Sequence, residues 1–587
     1  MGVYLNPGNK GFWESVRSEI YVDKTGLIAE TNQCINTEQK FLCVSRPRRF
    51  GKSMALKMLA AYYSCGCDSK ELFAGRSIAG HPTYKKYLNR YDVVFLNMQQ
   101  FLIEAASGKV TEYLEQEVLE ELNEEYGTVL KGREMGLAAA FRKIYAKTDK
   151  QFIFLIDEWD CVMRERQESE TLQKQYLDFL RNLLKDQPYI ALAYMTGILP
   201  VKKYGQHSAL NMFWEYSMTN QFAFEEYTGF TEDEVKVLCE KYAMDFALIS
   251  NWYDGYMFRK YQHIYNPKSI VEAMSCQRFS SYWTSTETYD ALKAYIDMDF
   301  NGLRSDIVKM LGGDRVKVNT RSFQNDMRNF EVKDDVLTLL IHLGYLGYDA
   351  GTEEAFIPNK EVIMEFENAM SVGGWGEVMH VLQTSEKLLE DTLNGHADRV
   401  AEGLDRTHSE VASILTYNDE NSLGCAIGLA YYSARRDYKL VREFPAGRGF
   451  ADVVFLPLPH TDKPRGHAVM VVKDQRPLWH GGHFPVVFRN LPVNVIYKKC
   501  FQMLPCMRVF HQLHTHGLGA DLLCQVIFRR TQASGQYDKV RPFKGCFNHI
   551  LHPSVIVPHR DLIIHIESKE GTLFRQEPGI AVHNIPH

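Results

Sequence analysis

No apolar run in this 587-residue chain approaches the about 18 residues a membrane-crossing helix needs, so no membrane-embedded segment is expected. The twelve cysteines include no Cys-x-x-Cys pair, and the closest spacings are Cys65/Cys67 and Cys500/Cys506. That excludes the paired-ligand spacing of common zinc modules and fits reduced thiols in a cytoplasmic protein. The opening Met1-Gly2-Val3-Tyr4-Leu5-Asn6 lacks a basic stretch followed by an apolar core, so secretion is not expected. Asn6 stands where a myristoylation signal has Ser or Thr. Internal repeats and low-complexity segments are also missing. What remains is ordinary globular composition, 45% hydrophobic and 24% charged, with length for about two to four domains.

Acidic residues are scarce in one place. Residues 468–587 hold 14 Lys/Arg against 7 Asp/Glu, with only three glutamates, Glu567, Glu570 and Glu577. This stretch is therefore +7, and the net charge of −6 leaves −13 for residues 1–467. It also carries 11 of the 20 histidines. That composition break is the clearest boundary in the chain.

Before it, short apolar runs alternate with helical spacing. Phe41-Leu42-Cys43-Val44, Tyr91 to Asn97, Phe152 to Ile156 and Ile190 to Met195 read as buried strands. Residues 52–62, 109–147 and 170–186 have helical spacing. Continuous apolar strands between helices predict a parallel sheet covered on both faces. From about residue 225 the pattern turns helical, with Thr231 placed as an N-cap before Glu232-Asp233-Glu234. Residues 285–350 read as short helices with a strand pair, and 375–437 as mostly helical. Tyr438 to Glu443 and Phe450 to Leu456 read as strands around Pro445-Ala446-Gly447-Arg448-Gly449.

The chemistry concentrates at two strand ends. Ser45-Arg46-Pro47-Arg48-Arg49-Phe50-Gly51-Lys52-Ser53 joins the first strand to the first long helix. Backbone N–H groups at such a helix start hold anions. A lysine there reaches the β- and γ-phosphates, and a hydroxyl ligates Mg²⁺. The cofactor-binding candidates are Arg48, Arg49, Phe50, Gly51, Lys52 and Ser53. Arg48 and Arg49 lie either beside the phosphates or in solvent. Arg46 occupies the place of the first glycine in G-x-x-x-x-G-K-[ST]. The second signal is Phe152 to Ile156 ending in Asp157-Glu158-Trp159-Asp160. There Asp157, with Ser53, is the expected Mg²⁺ ligand, and Glu158 polarises the attacking water. Thr196 ends the next strand as a sensor of the γ-phosphate or lytic water. Alone, a Gly-Lys-Ser in a basic loop is more often a surface turn, and an apolar run ending in Asp-Glu is more often a plain strand end; their order at successive strand ends points to ATP.

These residues, with Tyr21-Val22-Asp23-Lys24-Thr25, Thr196-Gly197, Gly229-Phe230-Thr231, Tyr253-Asp254-Gly255-Tyr256 and Tyr265-Asn266-Pro267, resemble the AAA-ATPase-like family of bacterial proteins. The resemblance covers about residues 1–467. It implies a P-loop NTPase sheet with flanking helices, a helical middle region, and a C-terminal domain of the PD-(D/E)XK nuclease superfamily. It makes the arginine-rich loop a family trait and implies ATP and Mg²⁺ as cofactors. The family in turn resembles ATPases tied to mobile elements or DNA transactions. The domains expected are 1–225 (ATPase), 226–370 (helical middle), 371–475 (partial nuclease-like) and 476–587 (a basic tail, poorly ordered).

In the nuclease-like part, Glu420 opens a helix and Asp452 begins a strand, placing both as metal-side acids or, equally simply, as a solvated helix start and a turn acid. The Glu-x-Lys expected after His467 to Val472 is missing. Lys473-Asp474-Gln475 stands there instead, and Asp474 is out of phase because one step along a strand reverses the face. Lys473 is the remaining candidate lysine of a vestigial nuclease site. In the tail, His511, His514 and His516 have ligand-like spacing without a suitably placed acid or cysteine partner, and the positive charge suits nucleic acid. Lost motifs and an abrupt composition change also fit a reading frame that departs from the ancestral one near 467–475. Three functions follow: an ATP-binding, ATP-hydrolysing protein with a degenerate nuclease domain; an ATP-regulated, Mg²⁺-dependent DNA nuclease; or a nucleotide-gated interaction protein without turnover.

Overall fold

The computed structural model describes residues 2–457 apart from 106–107, 132–134, 202–209, 284–288, 299, 325–326, 328–329, 372–373, 395, 412–413, 415–419 and 446–449. Beyond 457 it describes only 467–468, 470–472, 487–488, 491–492, 526–530, 562–567, 573–575 and 583–585. The chain divides into two compact units, 1–379 with 412–417, and 380–411 with 418–587. No helix among the described residues is long and apolar enough to cross a membrane.

The first unit is built on five parallel strands: β1 (Phe41–Ser45), β2 (Asp92–Asn97), β3 (Phe152–Asp157), β4 (Ile190–Gly197) and β5 (Trp214–Tyr216), in the order β2-β3-β4-β1-β5. Every residue of β1, β3 and β4 is buried. That is why these strands read as unbroken apolar runs: helices on both faces leave no solvated side to alternate with. The Lys52–Tyr63 helix follows β1, Val110–Leu130 and Leu137–Thr148 lie between β2 and β3, and Glu170–Leu184 lies between β3 and β4. The mixed α/β architecture expected from the sequence is the one found.

Register brings the two motifs together. Val44 pairs with Thr196 and Ser45 with Gly197 across β1 and β4, while Ile156 pairs with Met195 across β3 and β4. The carboxyl ends of β1, β4 and β3 therefore finish side by side. Open parallel sheets bind their ligands outside such ends.

Residues 225–371 form mainly helices, among them Glu232–Tyr242, Phe246–Tyr253, Pro267–Cys276, Lys333–Leu343 and Lys360–Ser371, with short antiparallel strands at 316–317, 347–349 and 354–356. Thr231 starts the first of these helices with a capping box: Glu234 Oε2 accepts from the Thr231 N–H at 2.8 Å. Glu234 also receives the half-buried Lys24 ammonium at 2.6 Å. The Asp23 carboxylate accepts the N–H groups of Thr25 (3.0 Å) and Ser77 (2.8 Å). Asp23 and Lys24 thus join chain segments to one another.

This helical region clasps the β1 loop. The Phe50 ring meets Tyr256 edge-on at 5.1 Å between centroids, and the Gly229 N–H donates to the Phe50 carbonyl at 3.0 Å. The Tyr256 hydroxyl donates to the Gly344 carbonyl at 2.7 Å. Gly344 has φ +90°, and a Cβ there would lie 2.7 Å from Pro47. Gly255, at φ +123°, lies against the Pro358 backbone, 2.1 Å from where its Cβ would be.

In the second unit Leu388, Leu389, Val400, Ala430, Tyr431, Tyr438 and Phe455 form a core, and the Tyr431 and Thr392 hydroxyls share a hydrogen bond of 2.8 Å. Tyr438–Pro445 and Phe450–Pro457, both expected as strands, pair antiparallel, and Met470–Val472 pairs with the second. Farther on, 526–530, 562–567, 573–575 and 583–585 form an antiparallel sheet. The rest of the tail, including His511, His514 and His516, lies outside the described residues.

Gly255→Ala combines a left-handed backbone with a backbone clash and should cost more than about 2 kcal/mol. Gly80→Ala, with nothing within 4 Å of the added Cβ, should be near neutral in the same denaturation experiment. Glu361 is buried and accepts from Ser269, Tyr282 and Trp283. Burial raises its pKa from 4.5 to about 7. The folded protein then keeps a proton that the unfolded chain releases, so Glu361 should lower wild-type stability as pH rises from 4.5 to 7, by about 3 kcal/mol at most. Glu361→Gln should flatten that slope, measured by denaturation across the same window.

Candidate nucleotide site

Left-handed backbone in the β1 loop falls at Arg49 (φ +70°) and Gly51 (φ +85°). Gly51 precedes the Lys52–Tyr63 helix, which has no side-chain cap on its first N–H groups. Ser53 and Met54 on its first turn are exposed. A helix start without a side-chain cap and with a left-handed glycine before it has the backbone arrangement that suits an anion.

Arg46, in the place of the missing glycine, goes into the core. Its guanidinium is fully buried, donates from Nη1 to the carbonyls of Ser45 and Tyr216 at 2.9 Å each, and lies 4.6 Å from the Phe258 ring centroid. Burial lowers its pKa to about 10. Lys52 is buried as well, and its ammonium donates to the Arg46 and Pro47 carbonyls at 2.9 and 2.8 Å. Burial lowers the Lys52 pKa, and the charges of Glu158, Asp160 and Asp157 act in the opposite direction. The loop lysine and the acids at the end of β3 therefore share one electrostatic environment.

The end of β3 is tied to β4 at several atoms. Asp157 is buried, and its Oδ1 accepts from the Thr196 hydroxyl at 2.7 Å and from the Glu158 N–H at 3.1 Å. The Trp159 N–H donates to the Thr196 carbonyl at 3.0 Å. Asp160, fully buried, accepts on Oδ2 from the N–H groups of Ile198 (3.0 Å) and Leu199 (2.8 Å) and from Arg164 Nε (3.2 Å). Arg164 Nη2 also donates to Glu158. Glu158 itself has φ +55°; burial raises its pKa, while Arg164 and Lys52 pull it down.

Of the residues singled out from the sequence, Lys52, Asp157, Glu158 and Thr196 are gathered here, with Ser53 at the helix start. The Thr196 hydroxyl is directed to Asp157. Arg48 is half-buried and Arg49 exposed, and both line a small groove with Asn266, Lys268, Tyr282 and Trp283. Glu420 begins the Glu420–Ala430 helix and Asp452 lies in the Phe450–Pro457 strand; Lys473 lies outside the described residues. Asp160 and Arg164 form an ionic cluster with Glu158, and neither was assigned a role from sequence. Their spacing of four, the reach of a helical ion pair, was the available signal.

The chain is 27% identical over 280 residues to an Azotobacter chroococcum mcd 1 protein described as "Uncharacterized protein in vnfD 5'region", covering 46% of this chain and 51% of that one. It thus spans about half the length of this curated relative. Among solved structures, the Walker-type ATPase PABY2304 of Pyrococcus abyssi aligns with 58% of this chain and 94% of its own at 12% identity, TM-score 0.31. The Aeropyrum pernix ORC2 protein, in ADPNP and ADP complexes, aligns with 59% and 94% at 10% identity, TM-score 0.23. Residues 13–206 match the family model described as "Predicted AAA-ATPase", so the likeness to AAA-ATPase-like proteins is carried by the stretch that builds the loop, the acid turn and four of the five sheet strands.

Proposed function

We propose that the first unit binds ATP with Mg²⁺ and hydrolyses it. The observation that carries this reading is the uncapped, exposed start of the Lys52–Tyr63 helix, beside a buried lysine within electrostatic range of Asp157 and Glu158. Backbone amides, an ammonium and two carboxylates are the groups phosphoryl transfer needs, because its catalysis is mostly positioning and charge stabilisation. Lys52 contacts the phosphates, and Arg48 and Arg49 add positive charge at the mouth of the loop. The donor set fits a hard cation: the Ser53 hydroxyl and the Asp157 carboxylate would hold Mg²⁺, which when bound neutralises phosphate charge. Glu158 orients water and accepts its proton. Thr196 fixes the Asp157 carboxylate through its hydroxyl.

For the second unit we propose a degenerate nuclease-type domain. The antiparallel arrangement of Tyr438–Pro445, Phe450–Pro457 and Met470–Val472 supports this, and the missing Glu-x-Lys after the last of these argues against activity.

ATP binding and turnover by the full chain test the first reading, with and without DNA. Lys52→Ala should weaken ATP binding at least tenfold and abolish turnover. Glu158→Gln should bind ATP as the wild type does and turn it over about a hundredfold more slowly. Equal turnover by wild type and Lys52→Ala would refute the assignment. The second reading expects no Mg²⁺-dependent DNA cleavage by the full chain; cleavage abolished by Asp452→Ala would contradict it.

A further inference from the structure

Glu158 is the residue on which turnover depends in the proposed reaction; its N–H is bonded to Asp157 and its carbonyl to the Cys161 N–H, but these bonds leave its side chain to be positioned separately. It follows the last residue of β3, in a left-handed conformation at φ +55°, which a β-carbon-bearing residue adopts at a cost and keeps only where its surroundings over-determine it. Its side chain remains partly exposed, at 25%. Arg164 supplies the restraint. Its side chain is 6% exposed and joins two carboxylates: Nη2 to Glu158 Oε2 and Nε to Asp160 Oδ2 at 3.2 Å. Asp160 is 0% exposed and is in turn fixed to the chain after β4 by the N–H groups of Ile198 and Leu199.

The connection is therefore a closed chain of bonds. Asp157 is held by Thr196 on β4. Glu158 is held, through Arg164 and Asp160, by the two residues that directly follow β4. Both acids of the site take their positions from the same strand end by separate routes. The planar guanidinium suits this task, because it bridges two carboxylates with fixed geometry and loses little freedom per bond formed. Only Oε2 of Glu158 has a hydrogen bond to Arg164, leaving Oε1 as the oxygen to meet water.

We propose that Arg164 is the positioning residue of the hydrolytic site, acting on the reaction only through Glu158. The inference rests on the ATPase reading above. It assigns Arg164 to kcat rather than to ATP affinity, since its ion pairs go to Glu158 and Asp160, and its charge acts on Lys52 less than burial, Glu158, Asp160 and Asp157 do. Tethering a group that acts in the transition state changes kcat and leaves ground-state binding unchanged.

The test is a double-mutant cycle on the full chain, with ATP affinity measured by equilibrium titration and kcat by phosphate release. Arg164→Ala should lower kcat about ten- to a hundredfold while the ATP dissociation constant stays within about twofold. Arg164→Lys, which keeps a cation, should recover part of the loss and covers the case in which alanine beside the buried Asp160 prevents folding. In a Glu158→Gln background, Arg164→Ala should cause no further fall in kcat, because a residue acting through Glu158 has nothing left to position. A further fall of the full size in that background, an unchanged kcat in the single variant, or equal losses of kcat and affinity would each overturn the role. A wild type that binds no ATP or does not hydrolyse it would refute the ATPase reading itself and remove the role with it. Failure of the inference alone shows in an active wild type.

Discussion

The site depends on how the end of β3 is fastened to the end of β4. Asp160 is a carboxylate taken wholly out of water, a situation tolerated only when its oxygens are met by donors and a counter-charge. Two backbone N–H groups and Arg164 meet that demand at Oδ2, while Oδ1 is buried with no hydrogen-bond partner among the described residues, so the turn Asp157-Glu158-Trp159-Asp160 is held to the residues after Thr196. Gly197 permits the approach. A Cβ there would sit 2.6 Å from the Trp159 indole nitrogen and 2.8 Å from an Asp160 oxygen. Removing one member of such a buried ionic cluster typically costs about 3–5 kcal/mol, because the remaining charge stays behind. The acids of the site thus inherit the rigidity of the sheet.

The facing half of the site is fixed from the other side. The β1 loop lies between the sheet and the helical region, and each face has its own contact: Arg46 to the Tyr216 carbonyl of β5, Phe50 to Tyr256 and Gly229, Pro47 to Gly344. An arginine can stand where the usual pattern has glycine because the left-handed residues of this loop are Arg49 and Gly51, not Arg46. Position 46 needs no conformational freedom, and its side chain is free to become part of the core. The arginine-rich sequence therefore splits by role: one arginine is structural, and the other two lie at the loop's groove.

Four of the five strands of the sheet were legible in the sequence because burial writes them as compact apolar runs, whereas β5, three residues of which only Tyr216 is buried, has no such run and was not legible; the helix start at Thr231 was legible because capping has a local signature. Asp157, Glu158 and Thr196 were singled out because each sits at the end of such an apolar run, and Lys52 because it opens the helix that follows one. The burial of Arg46 was not. A guanidinium among Ser45, Tyr216 and Phe258 is decided by residues far apart in sequence, and its local setting, among two other arginines before Gly-Lys-Ser, suggests solvent or phosphate. The pairing of Arg164 with Asp160 and Glu158 was missed for a related reason: spacing shows that the pair can form, while only the fold shows that β4 contributes the amides that make it a buried anchor. Motifs such as Asp23-Lys24 and Asp254-Gly255-Tyr256, read as marks of resemblance, turn out to be joints, with Tyr256 bonded to Gly344 and Lys24 to Glu234.

The central claim is that nucleotide phosphates sit on the amides at the start of the Lys52–Tyr63 helix. Amide hydrogen exchange of the full chain, with and without Mg²⁺ and ATP, reads those amides directly. The account predicts slowed exchange at residues 50–55 and at the Asp157–Asp160 turn when nucleotide is added. ATP binding that leaves both segments unchanged and protects another part of the chain would contradict it.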